Sequence, residues 1–363
     1  MIINATNIGQ RLSGIERYPL SLSLYFMEHW NYPFRLFINK RSLIHFKNVK
    51  NDQRIKLVDG NISPDFGFRG HLLRLLWSNK VALQNPNELI FNASQLDGCL
   101  LHKKQIITVH DIIPVIFRHR YKKQYFYFRY MLPMILKNSA RILTGSAHSK
   151  HLMMKFYKIP DEKICVIPYG ISDVFLNQVP LQHKQHYILY VGRLTAEKNV
   201  EGLINAFEML LNRHSLELSL KMTGEEKNLY FSVSKRIRDR VEFVGYPSDA
   251  QLIELYRNAS LLAFPSFYEG FGFPALEAMA CGCPVVVSNV ASLPEVCGDA
   301  AYYVDPNNIE SIAEGLHRVL TDETLRQGLI EKGLARGRLF SWEKSAQEHI
   351  KVFEEVLGSY KKG

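Results

Sequence analysis

The sequence predicts an α/β protein made of two doubly wound parallel-sheet domains, and three observations carry that prediction. The chain has 363 residues, too many for one ordinary core and suited to two of roughly 150 to 200 residues each. Short apolar runs alternate with helical patterns almost throughout, as parallel strands joined by crossover helices do. The charge also changes sign along the chain. Residues 1–180 carry 25 Lys and Arg against 11 Asp and Glu, a balance of +14, and the remainder carries 20 against 24, a balance of −4.

Taken in order, the chain opens on a short strand, and the Gly-rich stretch Gly9-Gln-Arg-Leu-Ser-Gly14-Ile-Glu-Arg17 then leads into a helix. Buried strands are expected at Ile106 to Val109, Arg141 to Thr144, Tyr187 to Val191 and Val285 to Ser288. The polar segment Asn177 to His186 has one proline and no period, so it marks the boundary between a domain at 1–180 and a second at 181–345. Ser341 is placed to cap a closing helix, whose residues 346–363 are expected to cross back to the N-terminal domain.

Composition narrows the function. Apolar residues make up 47% of a chain of mixed charge, which is a globular composition and not a disordered one. Five cysteines at 99, 165, 281, 283 and 297 form neither a CxxC pair nor a Cys/His cluster of zinc spacing. An odd count without a framework fits a reducing compartment, and Cys281 and Cys283 read as packing residues. The first residues show no basic region followed by an apolar one, and no apolar run approaches the ~18 residues of a membrane span. A cytoplasmic protein is expected, either soluble or bound peripherally to the inner face of the cytoplasmic membrane. The basic N-terminal half implies an anionic partner, for which a phosphate-bearing ligand, an acidic membrane surface and nucleic acid all qualify. In 117–130, aromatics interleave with cations. That pattern suits a lipid headgroup region and, equally, an amphipathic helix with its aromatics in the core.

Parallel sheets bind ligands at the carboxyl ends of their strands. There the sequence shows Ser266-Phe-Tyr-Glu269-Gly270-Phe271-Gly272-Phe-Pro-Ala-Leu-Glu277, two carboxylates across a Gly-rich turn entering a helix. Glycines allow close backbone approach, helix N-terminal amides suit a diphosphate, and a carboxylate on the helix suits vicinal hydroxyls. Spacing alone fits equally a turn carrying two surface glutamates. Arg193 and Lys198 flank a second helix start after Gly192. His110 and Asp111 follow the strand ending at Val109.

Glu269 and Glu277, separated by seven residues, resemble the hallmark of the retaining glycosyltransferases of family 4, whose fold is termed GT-B. The resemblance extends over nearly the whole chain: Tyr190-Val-Gly192-Arg193 through Lys198-Asn199, Met222-Thr-Gly224, Phe243-Val-Gly245-Tyr, Ile167-Pro-Tyr-Gly170 and Val109-His110-Asp111 occur in the family's order. It implies two Rossmann-like domains facing across a cleft. It assigns Arg193 and Lys198 to a donor diphosphate, Gly224 and Gly245 to base-contacting loops, and Glu277 to ribose hydroxyls. Glu269, with the amides of Phe271 and Gly272, falls to the donor sugar, His110 to the reacting sugar through its imidazole or carbonyl, and Gly14 to the donor phosphates. Arg17 is carried with Gly14, and Asp111 is read as orienting its loop. Ser146 and Ser149 fit either ligand contact or helix capping.

The chain lacks an Asp-x-Asp pair, so no metal and no cofactor is expected beyond the nucleotide-sugar co-substrate. Within the family the sequence looks most like bacterial mannosyl- and rhamnosyltransferases of surface polysaccharides. GDP-mannose is favoured as donor, with UDP-hexose, UDP-N-acetylhexosamine and dTDP-rhamnose as alternatives. The expected acceptor is a glycan or a lipid-diphosphate-linked oligosaccharide, with an anionic membrane surface nearby and no nucleic acid. A phosphorylase or epimerase on the same fold, and a non-catalytic basic binding protein, are the competing readings.

Overall fold

The computed structural model describes residues 1–10, 12, 14–176, 178, 181 and 185–361. Much of the expected boundary segment, and Arg11 and Ser13 of the Gly-rich stretch, lie outside them. The chain divides into two compact units: Met1–Gly170 with Trp342–Gly363, and Ile171–Ser341.

The first unit holds seven parallel strands: β1 (Ile2–Asn4), β2 (Arg35–Asn39), β3 (Ile55–Val58), β4 (Ile90–Asn92), β5 (Gln105–Thr108), β6 (Arg141–Thr144) and β7 (Ile164–Val166), in the order β3-β2-β1-β4-β5-β6-β7. Strands β1, β4 and β5 are buried along their whole length, which is why they read as continuous apolar runs and not as alternating ones. The expected strand at Ile106 to Val109 sits one residue earlier as β5, although the Val109 amide still bonds Leu143 O at 2.8 Å.

Helix α1 (Gly14–His29) buries Tyr18, Leu22 and Phe26 at one-turn spacing. Helices α2 (Gly67–Gln84), α3 (Ile113–Ile116), α4 (Lys122–Phe126), α5 (Leu132–Asn138) and α6 (Ala147–Tyr157) follow, with a π-helical stretch, Tyr127–Met131, joining α4 to α5. Right-handed crossovers put α1 on one face of the sheet and α2 to α6 on the other. A core of Leu75, Ile107, Val109, Tyr127, Phe128, Leu132, Met153 and Tyr157 fills the second layer. The aromatics of 117–130 therefore divide: Tyr127 and Phe128 enter that core, while Phe126 and Tyr130 are exposed.

The C-terminal helix (Trp342–Lys361) belongs to this unit. It buries Ala346, His349, Phe353 and Val356, and Phe353 meets Phe26 at 5.6 Å and Phe91 at 4.8 Å between ring centres.

The second unit holds β8 (Tyr187–Tyr190), β9 (Ser219–Met222), β10 (Val241–Phe243), β11 (Leu261–Phe264), β12 (Val285–Ser288) and β13 (Tyr302–Val304), all parallel, in the order β10-β9-β8-β11-β12-β13. Its helices are α7 (Asp173–Leu176), α8 (Val200–Arg213), α9 (Asp249–Asn258), α10 (Phe273–Ala280), α11 (Leu293–Cys297), α12 (Ile309–Thr321) and α13 (Glu323–Gly337). The units change over at Gly170/Ile171, ahead of the position read from the sequence. Ile171 already bonds Phe340 O at 3.1 Å, and Phe175 of α7 packs on Tyr256 of α9. The second changeover, at Ser341/Trp342, likewise precedes the expected 345/346, because the whole closing helix packs as one element.

In both sheets the strand order reverses at one point, between β1 and β4 and between β8 and β11. Crossovers leave these strand pairs in opposite directions, which opens a crevice at their carboxyl ends. Among the described residues no helix is long and apolar enough to cross a membrane.

Candidate functional site

At the switch point of the second unit, the turn after β8 carries Gly192, Arg193 and Lys198, and the turn after β11 carries Glu269, Gly270, Phe271 and Gly272. Lys198 Nζ donates to Glu269 Oε1 at 2.6 Å, tying the two turns together. The pair is largely withdrawn from water, with side chains 13% and 8% exposed. A lysine has three N–H donors, so the bond to Glu269 leaves the ammonium capacity for a ligand.

The first turn is set by Tyr190, fully buried at the end of β8, whose hydroxyl donates to Arg193 O at 2.8 Å. Burial holds that phenol well above its ordinary range, so it stays protonated as a donor. A Cβ on Gly192 would lie 2.9 Å from the Tyr190 hydroxyl, so glycine is what allows the turn and the phenol to share the space. The Gly192 amide donates to Thr223 Oγ1 at 3.0 Å. The Arg193 side chain is 67% exposed and reaches Glu197 only at 4.0 Å, leaving its guanidinium largely in solvent. Asn199, in left-handed backbone at φ 54°, donates through Nδ2 to Pro265 O and Pro306 O.

In the second turn Ser292 Oγ lies 3.0 Å from Glu269 O and 2.8 Å from Phe271 O, fixing the loop from α11's side. Gly272 caps α10 at φ 111°, a conformation L side chains rarely adopt, and α10 has no side-chain cap. The Ala275 amide bonds Gly272 O at 3.1 Å and Pro274 has no N–H, so what α10 offers an anion at this end is the positive end of its dipole. Glu277, on α10 and 7% exposed, accepts from the Tyr256 hydroxyl at 3.2 Å. Gly224 and Gly245 form an isolated bridge, exchanging N–H···O bonds of 2.6 and 3.1 Å between the loops after β9 and β10. Both have positive φ and no side chain, so the two loops present bare backbone.

The remaining predicted residues belong to the first unit. His110 follows β5 with both ring nitrogens engaged: Nε2 donates to Ala93 O at 3.1 Å, and Nδ1 accepts from the Tyr169 hydroxyl at 2.8 Å. Burial depresses its pKa to about 4, so the imidazole is neutral and has no uncommitted nitrogen for proton transfer. Its amide donates to Gln95 Oε1 at 3.1 Å, and its carbonyl is approached by Ser149 Oγ only at 3.4 Å. The carbonyl is therefore the part of His110 with spare capacity.

Gly14 opens α1, and one turn later Tyr18 sets its ring edge-on to His110 at 5.1 Å. Arg17 lies between them on the same helix. Asp111 Oδ1 accepts from the Ile113 amide at 3.0 Å, a loop-orienting bond. Ser146 caps α6 by accepting from the Ser149 amide. Cys281 and Cys283 are buried free thiols. The sequence reading assigned no role to Tyr190, Thr223, Ser292, Tyr256, Tyr169 or Gln95. Tyr190, Thr223 and Tyr169 sit inside the quoted motifs, whereas Gln95, Tyr256 and Ser292 lie far along the chain from the groups they hold, where no local spacing signals them.

Two family models match the chain: "Glycosyltransferase Family 4" over residues 13–174 and "Glycosyl transferases group 1" over residues 172–336. The O-antigen chain mannosyltransferase B of Escherichia coli is 32% identical over 268 residues, covering 69% of this chain and 70% of that protein. The O-antigen chain mannosyltransferase RfbU of Salmonella typhimurium is 33% identical over 58% of this chain and 59% of its own length. Among solved structures, a sucrose-phosphate synthase from Thermosynechococcus elongatus matches 99% of both chains with a TM-score of 0.74 at 19% identity, a likeness of fold. With two Rossmann-like units, these two matching models and a relative of 32% identity, the chain belongs to glycosyltransferase family 4 and is a glycosyltransferase of the GT-B type.

Proposed function

We propose that the chain transfers a mannosyl group from GDP-mannose, with retention of anomeric configuration and without a metal, to a hydroxyl of a glycan or lipid-diphosphate-linked oligosaccharide in cell-surface polysaccharide assembly. The observation that carries the donor half is the Lys198–Glu269 pair, which joins the two turns where a doubly wound sheet takes its ligand. Support for mannose comes from the names of relatives that are 32% and 33% identical.

Each group has a role in this reading. Arg193, Lys198 and the positive end of the α10 dipole hold the diphosphate and neutralise the charge that grows as the sugar leaves, the work a divalent cation does elsewhere. Glu277 accepts from the ribose hydroxyls, with Tyr256 holding the carboxylate in place. The Gly224–Gly245 bridge gives the base flat backbone to lie on. Glu269 and the amides of Phe271 and Gly272 position the hexose. The His110 carbonyl, with its ring locked by Ala93 and Tyr169, sets a fixed partial negative charge toward an oxocarbenium-like transition state. The basic first unit receives the acceptor.

The test is a thermal-shift panel of GDP-, UDP-, dTDP- and ADP-sugars with EDTA present, repeated on Glu277→Ala. A rise with GDP-mannose that the variant loses is expected, about 2.7 kcal/mol of stabilisation at ~100 times the dissociation constant. A response confined to a UDP or dTDP sugar would replace the donor. Turnover abolished by EDTA and restored by a divalent ion would remove metal independence. Proton NMR of the first-formed product reads the anomeric outcome.

A further inference from the structure

The first unit contains a buried ion pair that the donor and acceptor roles above leave unused. Arg74 of α2 donates from Nε to Asp97 Oδ1 at 2.8 Å, with side chains 3% and 0% exposed. Taking both charges out of water is costly, and their attraction repays it only when the remaining donors and lone pairs are satisfied as well. Here they are not: Arg74 Nη1 and Asp97 Oδ2 are buried with no hydrogen-bond partner among the described residues. Two apolar side chains of similar volume would serve the core at least as well, so stability does not account for the pair.

What the pair holds is the connection from β4 to β5. Asp97 closes a 3-10 turn, Gln95–Asp97, which Ser94 caps by accepting from the Leu96 amide at 3.2 Å. Tyr127 donates to Gln95 O at 2.6 Å, so the π-helical stretch grips the same turn. This short segment reaches His110 twice: Ala93 O accepts from the ring at 3.1 Å, and Gln95 Oε1 accepts from the amide at 3.1 Å. With ring and amide tethered to one segment, the His110 carbonyl is held to one direction. The long Gln95 side chain can serve as a tether only if its backbone is fixed.

We propose that Arg74 and Asp97 are positioning residues for sugar transfer: the ion pair anchors the Gln95–Asp97 turn to α2, and through Gln95 and Ala93 the turn fixes the His110 carbonyl, on the role given to that carbonyl above. A charge-assisted bond suits this task because it is directional, whereas an apolar contact permits sliding and rotation.

The decisive variant is Arg74→Met with Asp97→Leu, which replaces the pair by apolar side chains of similar volume and strands neither charge. Its melting midpoint and its thermal shift with GDP-mannose should match the parent's. Release of GDP from GDP-mannose should lose about tenfold or more in kcat at unchanged KM. Gln95→Leu keeps the pair, removes the acceptor for the His110 amide, and should lose kcat in the same way. Independently of turnover, amide hydrogen exchange resolved to single residues should be about fivefold faster at His110 in both variants, with the β2 amides of the same unit unchanged. Leu101→Gln, at an exposed leucine of the same connection, should alter none of these. If the double variant does not fold, Arg74→Lys keeps both charges on a different reach, and kcat and His110 exchange should still move together. Parental kcat or parental His110 exchange in these variants would overturn the proposal. So would a kcat loss matched by loss of the midpoint or of the donor shift, the mark of a purely structural pair. A parent that releases nucleotide from no sugar of the panel removes the donor reading instead, and the exchange rates then decide the anchoring by themselves.

Discussion

Lys198 and Glu269 each depend on the other for charge compensation in a largely dry turn. Removing one partner of such a pair typically costs about 3 to 5 kcal/mol, because it strands the other charge. Lys198→Met should therefore lower the melting midpoint and abolish turnover, whereas Lys198→Met combined with Glu269→Gln should recover most of the midpoint and none of the turnover. A double variant that recovers activity would remove the pair from the site. The buried histidines give a pH signature. His110 and His349 both have folded pKa values of about 4, below the 6.5 of an exposed imidazole. The unfolded chain binds more protons between these values, so the stability they contribute is complete above pH 6.5 and lost as pH falls toward 4. The slope is up to roughly 1.4 kcal/mol per pH unit for each histidine. Melts from pH 7.5 to 4.5 should steepen below 6.5, and His349→Gln should flatten that fall.

At the scale of elements, short turns hold the site through bonds from distant strands and helices. Ser292 reaches two carbonyls of the β11–α10 turn. Ser292→Ala should cost about 1 to 2 kcal/mol and raise the donor KM more than it lowers kcat, since it loosens the loop and leaves the charged groups in place. Gly145, just after β6, is packed so closely that a Cβ would stand 2.6 Å from the Tyr169 ring. Gly145→Ala should push the Tyr169 hydroxyl off His110 Nδ1 and reduce kcat, with donor-induced thermal shift unchanged. Loss of the shift in that variant would show that the two units do not bear these roles separately.

At the scale of the whole molecule, the chain returns to complete its first unit. Tyr18, raised far above its ordinary range by burial, lies within 2.7 Å of Thr108 Oγ1 and 2.6 Å of His349 Nε2. His349 Nδ1 donates to Ser345 O, so Nε2 accepts from the phenol. Phe353 and Val356 seal the same core. A chain ending at Ser341 should lose cooperative unfolding of the first unit in calorimetry while the transition of the second persists. A single unaltered transition would show that the last helix is dispensable.

Local signals were enough for two parallel-sheet domains, the strand positions to within a residue, and the Gly- and Glu-bearing turns, because a strand buried on both faces and a turn requiring glycine both leave their mark on neighbouring residues. The unit boundaries were not legible in this way. Which core claims Ile171 or Trp342 depends on partners such as Phe340 and Tyr18, which a window of sequence does not contain. The same holds for the fate of 117–130, where aromatics of one composition divided between core and surface according to which side of α4 and α5 met α2. His110 shows the limit most plainly. Its place after a strand was readable, but its neutrality was decided by burial, which outweighs the opposing pull of the Ala93 carbonyl and exists only once the sheet has assembled.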